Sequence, residues 1–253
     1  MLFRSVADGV VRLPLTFGPT GSVFVVFREK AAPKEQRIVS VTRNGAEIPI
    51  QLTRNAAGKI NVQDGQAGDY QFKFADDTTR ALQIISPPAP LEITGPWEVS
   101  FAPGRGAPEK ITFDQLTDWT KRPEESIKHF SGKATYQRTF EVLAQPLPGS
   151  AMILDLGEVN DIAVVRVNGQ ELATLWLPPY RLDITAAMKP GANTLEVDVV
   201  NTWNNRLVGD ASLLLVKRLT SLTSPLVTKD PPLMPAGLIG PVTIQQAVEF
   251  KGL

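Results

Sequence analysis

Apolar residues in this chain recur at every second position over short runs, and almost nowhere at the spacing a long helix needs. Tyr70, Phe72 and Phe74 form one such run, Trp97, Val99 and Phe101 a second, and Leu195, Val197 and Val199 a third. A period of two places these side chains on one face of a strand, so the alternation restricts the chain to half-buried β-sheet. The 21 prolines and 19 glycines are spread between the runs, where an all-β chain needs its turns. Asn44-Gly45 and Asn168-Gly169 each stand between short alternating segments. Both central residues of a type I′ turn take positive φ, which Asn-Gly tolerates best, so each pair predicts a hairpin.

Three prolines in Ser86-Pro-Pro-Ala-Pro90 predict an extended connector between two β-rich regions. Residues 1–86 read as a small immunoglobulin-like sandwich, 87–90 as the linker, and 91–253 as a jelly-roll sandwich. In the first region strands are expected at 10–15, 23–27, 38–41, 48–52, 59–62, 69–74 and 80–85. The first lies so near Met1 that the small sandwich is expected to be truncated on its N-terminal side. In the second region strands are expected at 97–101, 134–140, 151–156, 163–167, 171–175, 195–200 and 242–248, with one more at 213–216. A short helical turn ended by glycine is expected between Asp183 and Gly191. No helix of more than a few turns is foreseen.

Charge and composition exclude several functions. Lys+Arg 26 balance Asp+Glu 26, whereas nucleic-acid affinity comes mainly from neutralising phosphates, so no nucleic-acid partner is expected. No apolar run approaches the roughly 18 residues that span a bilayer, so no membrane partner is expected either. With 0 Cys and 1 His the chain has no disulfide, no thiolate metal site and no histidine pair.

Several phrases in fixed order resemble one family. They are Gly95-Pro-Trp-Glu-Val-Ser-Phe101, Leu116-Thr-Asp-Trp119, Phe130-Ser-Gly-Lys-Ala-Thr-Tyr136, Leu154-Asp-Leu-Gly157, Val164-Val-Arg-Val-Asn-Gly169, Lys189-Pro-Gly-Ala-Asn-Thr-Leu195, the segment 201–210 and Gly237-Leu-Ile-Gly-Pro-Val242. Together they resemble the C-terminal galactose-binding-like jelly roll of glycoside hydrolase family 106, the α-L-rhamnosidases. A weaker likeness extends to the sugar-binding domain of family 2 enzymes such as β-galactosidases. The resemblance implies a catalytic (β/α)-barrel elsewhere in a longer protein, because nothing here reads as eight alternating strand and helix units. It also implies a periplasmic or extracellular setting for that protein.

Sugar recognition by a sandwich uses aromatic rings against apolar sugar faces and planar polar groups that reach hydroxyls. Residues 201–210, Asn-Thr-Trp-Asn-Asn-Arg-Leu-Val-Gly-Asp, follow a strand and hold more large polar groups than a turn needs. Trp203, Asn204, Asn205 and Arg206 are therefore the expected sugar contacts, with Trp119 and Tyr180 as neighbours. Each has a plainer reading. Arg206 and Asp210 can pair and pin the loop, and the lone His129 reads as a polar loop residue. Trp176, before Pro178-Pro179, suits packing and contact equally, whereas Trp97 belongs to a core.

No catalytic residue is expected. Glycosidases need two carboxylates facing one bond, one with a raised pKa, and the adjacent Glu124-Glu125 beside Lys121-Arg122 reads as a charged turn. Asp155, Glu158 and Asp161 read as turn caps. No cofactor is expected, although a structural calcium suits such a module, with Asp210 and Asp183 as donors. The resemblance implies a non-catalytic, carbohydrate-binding-like accessory C-terminal part of a glycoside hydrolase acting on α-L-rhamnosides, with an oligo- or polysaccharide and the catalytic barrel as its partners. A free-standing carbohydrate-binding module and a purely structural docking module are the alternatives.

Overall fold

The structure, a computed structural model, describes residues 5–7, 10–12, 22, 24–26, 38–48, 52–54, 60–62, 66–84, 89–142, 150–220 and 231–248. The chain divides into two compact units, one of Met1–Ala89, Pro146–Met152 and Gln246–Leu253, the other of Pro90–Gln145 and Ile153–Gln245. The described elements are overwhelmingly antiparallel strands, and the chain is all-β.

In the first unit, strands Ser5–Ala7 (β1) and Val10–Arg12 (β2) form one pair. Strands Ile38–Arg43 (β3), Ala46–Glu47 (β4), Gly68–Phe74 (β7) and Thr79–Ile84 (β8) form a sheet in the order β4-β3-β7-β8. Leu52–Arg54 (β5) pairs with Ile60–Val62 (β6). The first Asn-Gly hairpin forms as expected. Arg43 faces Ala46 across it, with Asn44 at φ 50° and Gly45 at φ 81°. Alternation in β7 buries Tyr70, Phe72 and Phe74 together. Residues 24–26, expected within a strand, form none; Phe24 and Val26 stand exposed and no described strand pairs with them. Positions 13–15, 23, 27, 49–51, 59 and 85 of the expected strands lie outside the described residues.

The second unit is built on a six-stranded sheet. Its strands are Trp97–Phe101 (β10), Lys110–Phe113 (β11), Lys133–Val142 (β12), Ile162–Val167 (β15), Gln170–Leu175 (β16) and Gly191–Val200 (β18). They lie in the order β11-β10-β12-β18-β15-β16. The long central pair β12–β18 runs in unbroken register from Lys133↔Val200 to Val142↔Gly191. Alternate residues of these strands, among them Trp97, Val99, Tyr136, Val165 and Val197, are buried on one face. Burying each such side chain contributes about 1.5–3 kcal/mol. The opposite face carries a buried carboxylate, Asp198, which accepts from Arg166 (2.9 Å), Thr135 (2.6 Å) and Lys133 (3.3 Å).

Another sheet comprises Leu91–Glu92 (β9), Ser150–Asp155 (β13), Arg181–Asp183 (β17) and Thr243–Val248 (β20), in the order β17-β13-β20-β9. Glu158–Asn160 (β14) pairs with Gly237–Gly240 (β19). Gly157, at φ 65°, precedes β14, and a Cβ there would stand 2.4 Å from the Gly240 backbone, so only glycine lets the two chains meet. The second Asn-Gly hairpin also forms, with Asn168 at φ 52° and Gly169 at φ 79°. Asn168 adds side-chain bonds to Ala187 O and Asn193 Oδ1, both 2.8 Å.

Two expectations fail here. Residues 213–216 form no strand; instead Leu215–Lys217 is a single tight helical turn, with Leu214, Leu215 and Val216 exposed and without a partner strand. The segment 201–210, read as a loop, is largely the helix Asn204–Ala211 (α2). Asn and Gly are poor helix formers, and tertiary hydrogen bonds from α2 override that preference.

Candidate functional site

An open cleft of about 490 Å³ lies in the second unit, lined by Gly104, Arg105, Ser131, Gly132, Asn201, Trp203, Arg206, Leu219 and Thr220. Four parts of the chain build it: the β10–β11 hairpin loop, the segment before β12, the start of α2, and residues 219–220. Trp203 caps the N-terminus of α2 with 72% of its surface exposed, a free aromatic face at the cleft. Asn201 holds the neighbouring wall in place. Its Nδ2 donates to Phe130 O and its Oδ1 accepts from Gly132 N, both at 2.9 Å.

Helix α2 is anchored at every polar position the sequence offered. Asn204 donates to Pro232 O (3.1 Å). The buried Asn205 exchanges two hydrogen bonds with the Met234 backbone, giving from Nδ2 (2.7 Å) and accepting at Oδ1 (2.8 Å). The Arg206 backbone N–H donates to Ser131 Oγ (3.1 Å). Arg206 Nη2 stands 2.9 Å from Asp210 Oδ1, one helical turn on, with side chains 11% and 4% exposed. Asp210 Oδ2 accepts from Leu219 N (3.0 Å), Thr220 N (2.7 Å) and Thr220 Oγ1 (2.6 Å). The pairing of Arg206 with Asp210 is thus present, and it pins residues 219–220 against α2.

Of the six expected sugar contacts, the structure brings Trp203 and Arg206 to the cleft and not the others. Asn205 is spent on backbone. Trp119 is 0% exposed and belongs to the core. Its Nε1 donates to Tyr136 Oη (2.6 Å), and its ring packs edge-on against Phe101 and Phe130, each at 5.5 Å. Gly237, at φ 103°, leaves room for it, since a Cβ there would stand 2.5 Å from Trp119 Nε1. Tyr180 is buried and donates to Asp161 O (2.8 Å), which fixes the chain entering β15. Burial pushes its hydroxyl pKa up. Trp176 is exposed, which removes its packing reading, and it lies outside the cleft lining.

The carboxylates are engaged in local pairs. Glu124 meets Arg122 at 2.7 Å, and that hydrogen bond holds its pKa below the usual range. Glu125 opens a single helical turn, Glu125–Lys128 (α1), and bonds Lys128 at 2.9 Å, which lowers its pKa too. A glycosidase acid needs the opposite shift. His129 rests on the same turn, with Nδ1 3.0 Å from Glu125 O. Asp155 pairs with Arg181 at 2.7 Å. Asp183, one of the two expected calcium donors, caps Thr185 with Oδ1 (2.6 Å to Oγ1), while Asp210 serves α2 as above. Among the described residues no three His, Asp or Glu side chains gather as metal ligands, and no helix is long and apolar enough to cross a membrane.

Residues 115–212 match the family model described as glycosyl hydrolase 2 galactose-binding domain-like. The second unit carries a galactose-binding-like domain related to glycoside hydrolases. A putative beta-glucuronidase of Formosa agariphila is 34% identical over 233 residues, covering 79% of this chain and 20% of that protein. The structure of a rhamnosidase from Novosphingobium sp. PP1Y matches with TM-score 0.58 and 28% identity over 82% of this chain and 25% of that one. A beta-D-glucuronidase of Dictyoglomus thermophilum matches with TM-score 0.47 and 17% identity over 66% of this chain and 29% of its own. The chain spans about a fifth of the glucuronidase of Formosa and a quarter of the rhamnosidase.

Sequence reasoning missed Arg105, Ser131 and Thr220 at the cleft. The signal for Arg105 was present: it stands exposed between Gly104 and Gly106, both at positive φ, in the β10–β11 hairpin loop.

Proposed function

We propose that this chain is the non-catalytic, carbohydrate-binding-like part of a longer glycoside hydrolase acting on α-L-rhamnosides, and that the Trp203 cleft is its sugar contact. The observation that carries the reading is the rhamnosidase likeness, which covers 82% of this chain but only 25% of that protein. The chemistry then belongs to a catalytic barrel outside these residues, and the polysaccharide is met outside the cytoplasm. Two features of the site support this. The cleft lining holds no Asp or Glu, whereas cleavage needs two carboxylates about 5–9.5 Å apart. An exposed indole at a helix start is the kind of platform on which a sugar ring stacks.

Titration calorimetry of the 253-residue chain with rhamnogalacturonan oligosaccharides tests the reading. Binding heat that disappears in Trp203→Ala is expected; equal heat from both proteins would overturn the assignment of the cleft. A second reading, docking onto another domain, is favoured by the exposed run Leu214, Leu215 and Val216, because apolar side chains grouped in this way mark interaction surfaces. It predicts concentration-dependent self-association of the isolated chain, which Leu215→Ser abolishes.

A further inference from the structure

The cleft carries a charge imbalance that a neutral saccharide does not require. Arg105 and Arg206 line it, and no acidic residue does. Behind the wall Asp210 offsets Arg206, but its Oδ2 is already taken by Leu219 and Thr220 and its Oδ1 faces Arg206 Nη2. The amide of Asn201 gives one hydrogen to Phe130 O and accepts one from Gly132 N. The Ser131 and Thr220 hydroxyls keep acceptor lone pairs, so what the cleft leaves unbalanced is positive charge. The Arg105 guanidinium is exposed and has no ion-pair or hydrogen-bond partner among the described residues. Arg206 Nε and Asp210 Oδ1 both lie buried without a hydrogen-bond partner among them, so Arg206 meets the cleft through the small exposed part of its side chain. Ser131 Oγ accepts from the Arg206 backbone, which leaves its own hydrogen to give. The loop of Arg105 also sits directly over Arg206, for a Cβ at Gly106 would stand 3.5 Å from Arg206 Nη1.

Sugar hydroxyls give and accept hydrogen bonds together, so a site for neutral sugar presents both partners. This one presents both partners and adds, beside an exposed indole, the positive charge of Arg105 with no acidic residue in the lining to offset it, so a ligand with negative charge suits it better than a neutral one. Planar guanidinium groups match oxyanions of fixed geometry and strengthen the bond by charge. We infer that the cleft takes a saccharide bearing an anionic group, carboxylate or sulfate, with the ring against Trp203 and the anion within reach of Arg105 and Arg206. The inference rests on the reading that this cleft meets sugar, and it adds the class of sugar.

Three probes separate the outcomes when titrated into the 253-residue chain at about 50 mM and about 200 mM salt. They are trigalacturonate, its methyl ester, and a sulfated carrageenan-type oligosaccharide. The expected result is that at least one anionic probe binds about tenfold more tightly than the ester. That preference weakens with salt and disappears in Arg105→Ala, whose urea midpoint stays that of the parent chain. Preference for trigalacturonate assigns a carboxylate; preference for the third probe assigns a sulfate. Equal binding of acid, ester and sulfated probe overturns the inference and leaves sugar binding standing. No heat from any probe overturns both.

Discussion

Asp210 joins α2 to residues 219–220, and its removal should loosen the whole cleft. Its carboxylate accepts three hydrogen bonds at one oxygen and stands 2.9 Å from Arg206 at the other, with only 4% of the side chain exposed. Each hydrogen bond to a charged group is worth about 1.5–3 kcal/mol when removed alone, but bonds that share one acceptor do not add. Breaking a buried ion pair by deleting one partner costs about 3–5 kcal/mol, since the other charge stays buried. Arg206, at 11% exposed, has little water to turn to. Asp210→Ala should therefore destabilise the second unit by about 3–5 kcal/mol. For a unit of roughly 150 residues this lowers Tm by roughly 6–20 °C. Urea unfolding followed by tryptophan fluorescence reads the change directly. In Arg206→Ala/Asp210→Ala the loss should fall below the sum of the single variants. A loss under about 1 kcal/mol in Asp210→Ala would refute the reasoning, because it would mean that the carboxylate is solvated where the structure buries it.

Other expectations follow from the same geometry. Tyr136→Phe deprives both Trp119 Nε1 and Leu238 N of their buried acceptor, and should cost about 2–4 kcal/mol in urea unfolding. Gly237→Ala should lower the yield of folded protein sharply, since its Cβ would stand 2.5 Å from Trp119 Nε1 on a backbone at φ 103°. Trp203→Ala should leave the urea midpoint within about 0.5 kcal/mol of the parent, because the ring is mostly exposed. Burial pushes the Asp198 carboxyl up, but hydrogen bonds from Arg166 and Thr135 and the charge of Lys133 outweigh it, leaving its pKa below the usual range. A group depressed on folding stabilises above its unfolded pKa of about 3.9 and loses that contribution as pH falls through the folded value. Stability followed from pH 6 to pH 2 should thus fall below about pH 4, and less steeply in Asp198→Asn.

The sheets were legible because alternation is a local signal. Trp97, Val99 and Phe101 announce a buried strand face without reference to the rest of the chain, and both Asn-Gly turns formed where the dipeptides stood. Trp119 was not legible. It opens the single helical turn Trp119–Lys121, and it is core only because Tyr136 offers an acceptor and Gly237 leaves a gap, both outside that turn. Helix α2 was hidden for a related reason. Asn204, Asn205, Gly209 and Asp210 argue locally for a turn, while the bonds that make them helical end on Pro232, Met234 and Thr220. The cleft was half visible: Trp203 and Arg206 stood out as a dense polar cluster, whereas Arg105 reaches it from another hairpin.

The proposed function puts the sugar-cleaving carboxylates outside these residues, and one assay addresses that directly. Purified chain, incubated alone with an aryl α-L-rhamnoside, is predicted to release no phenol above the buffer rate, and a longer protein that carries the proposed catalytic barrel is predicted to turn the same substrate over. Release by these 253 residues unaided, lost on replacing Glu124 or Glu125, would contradict the account.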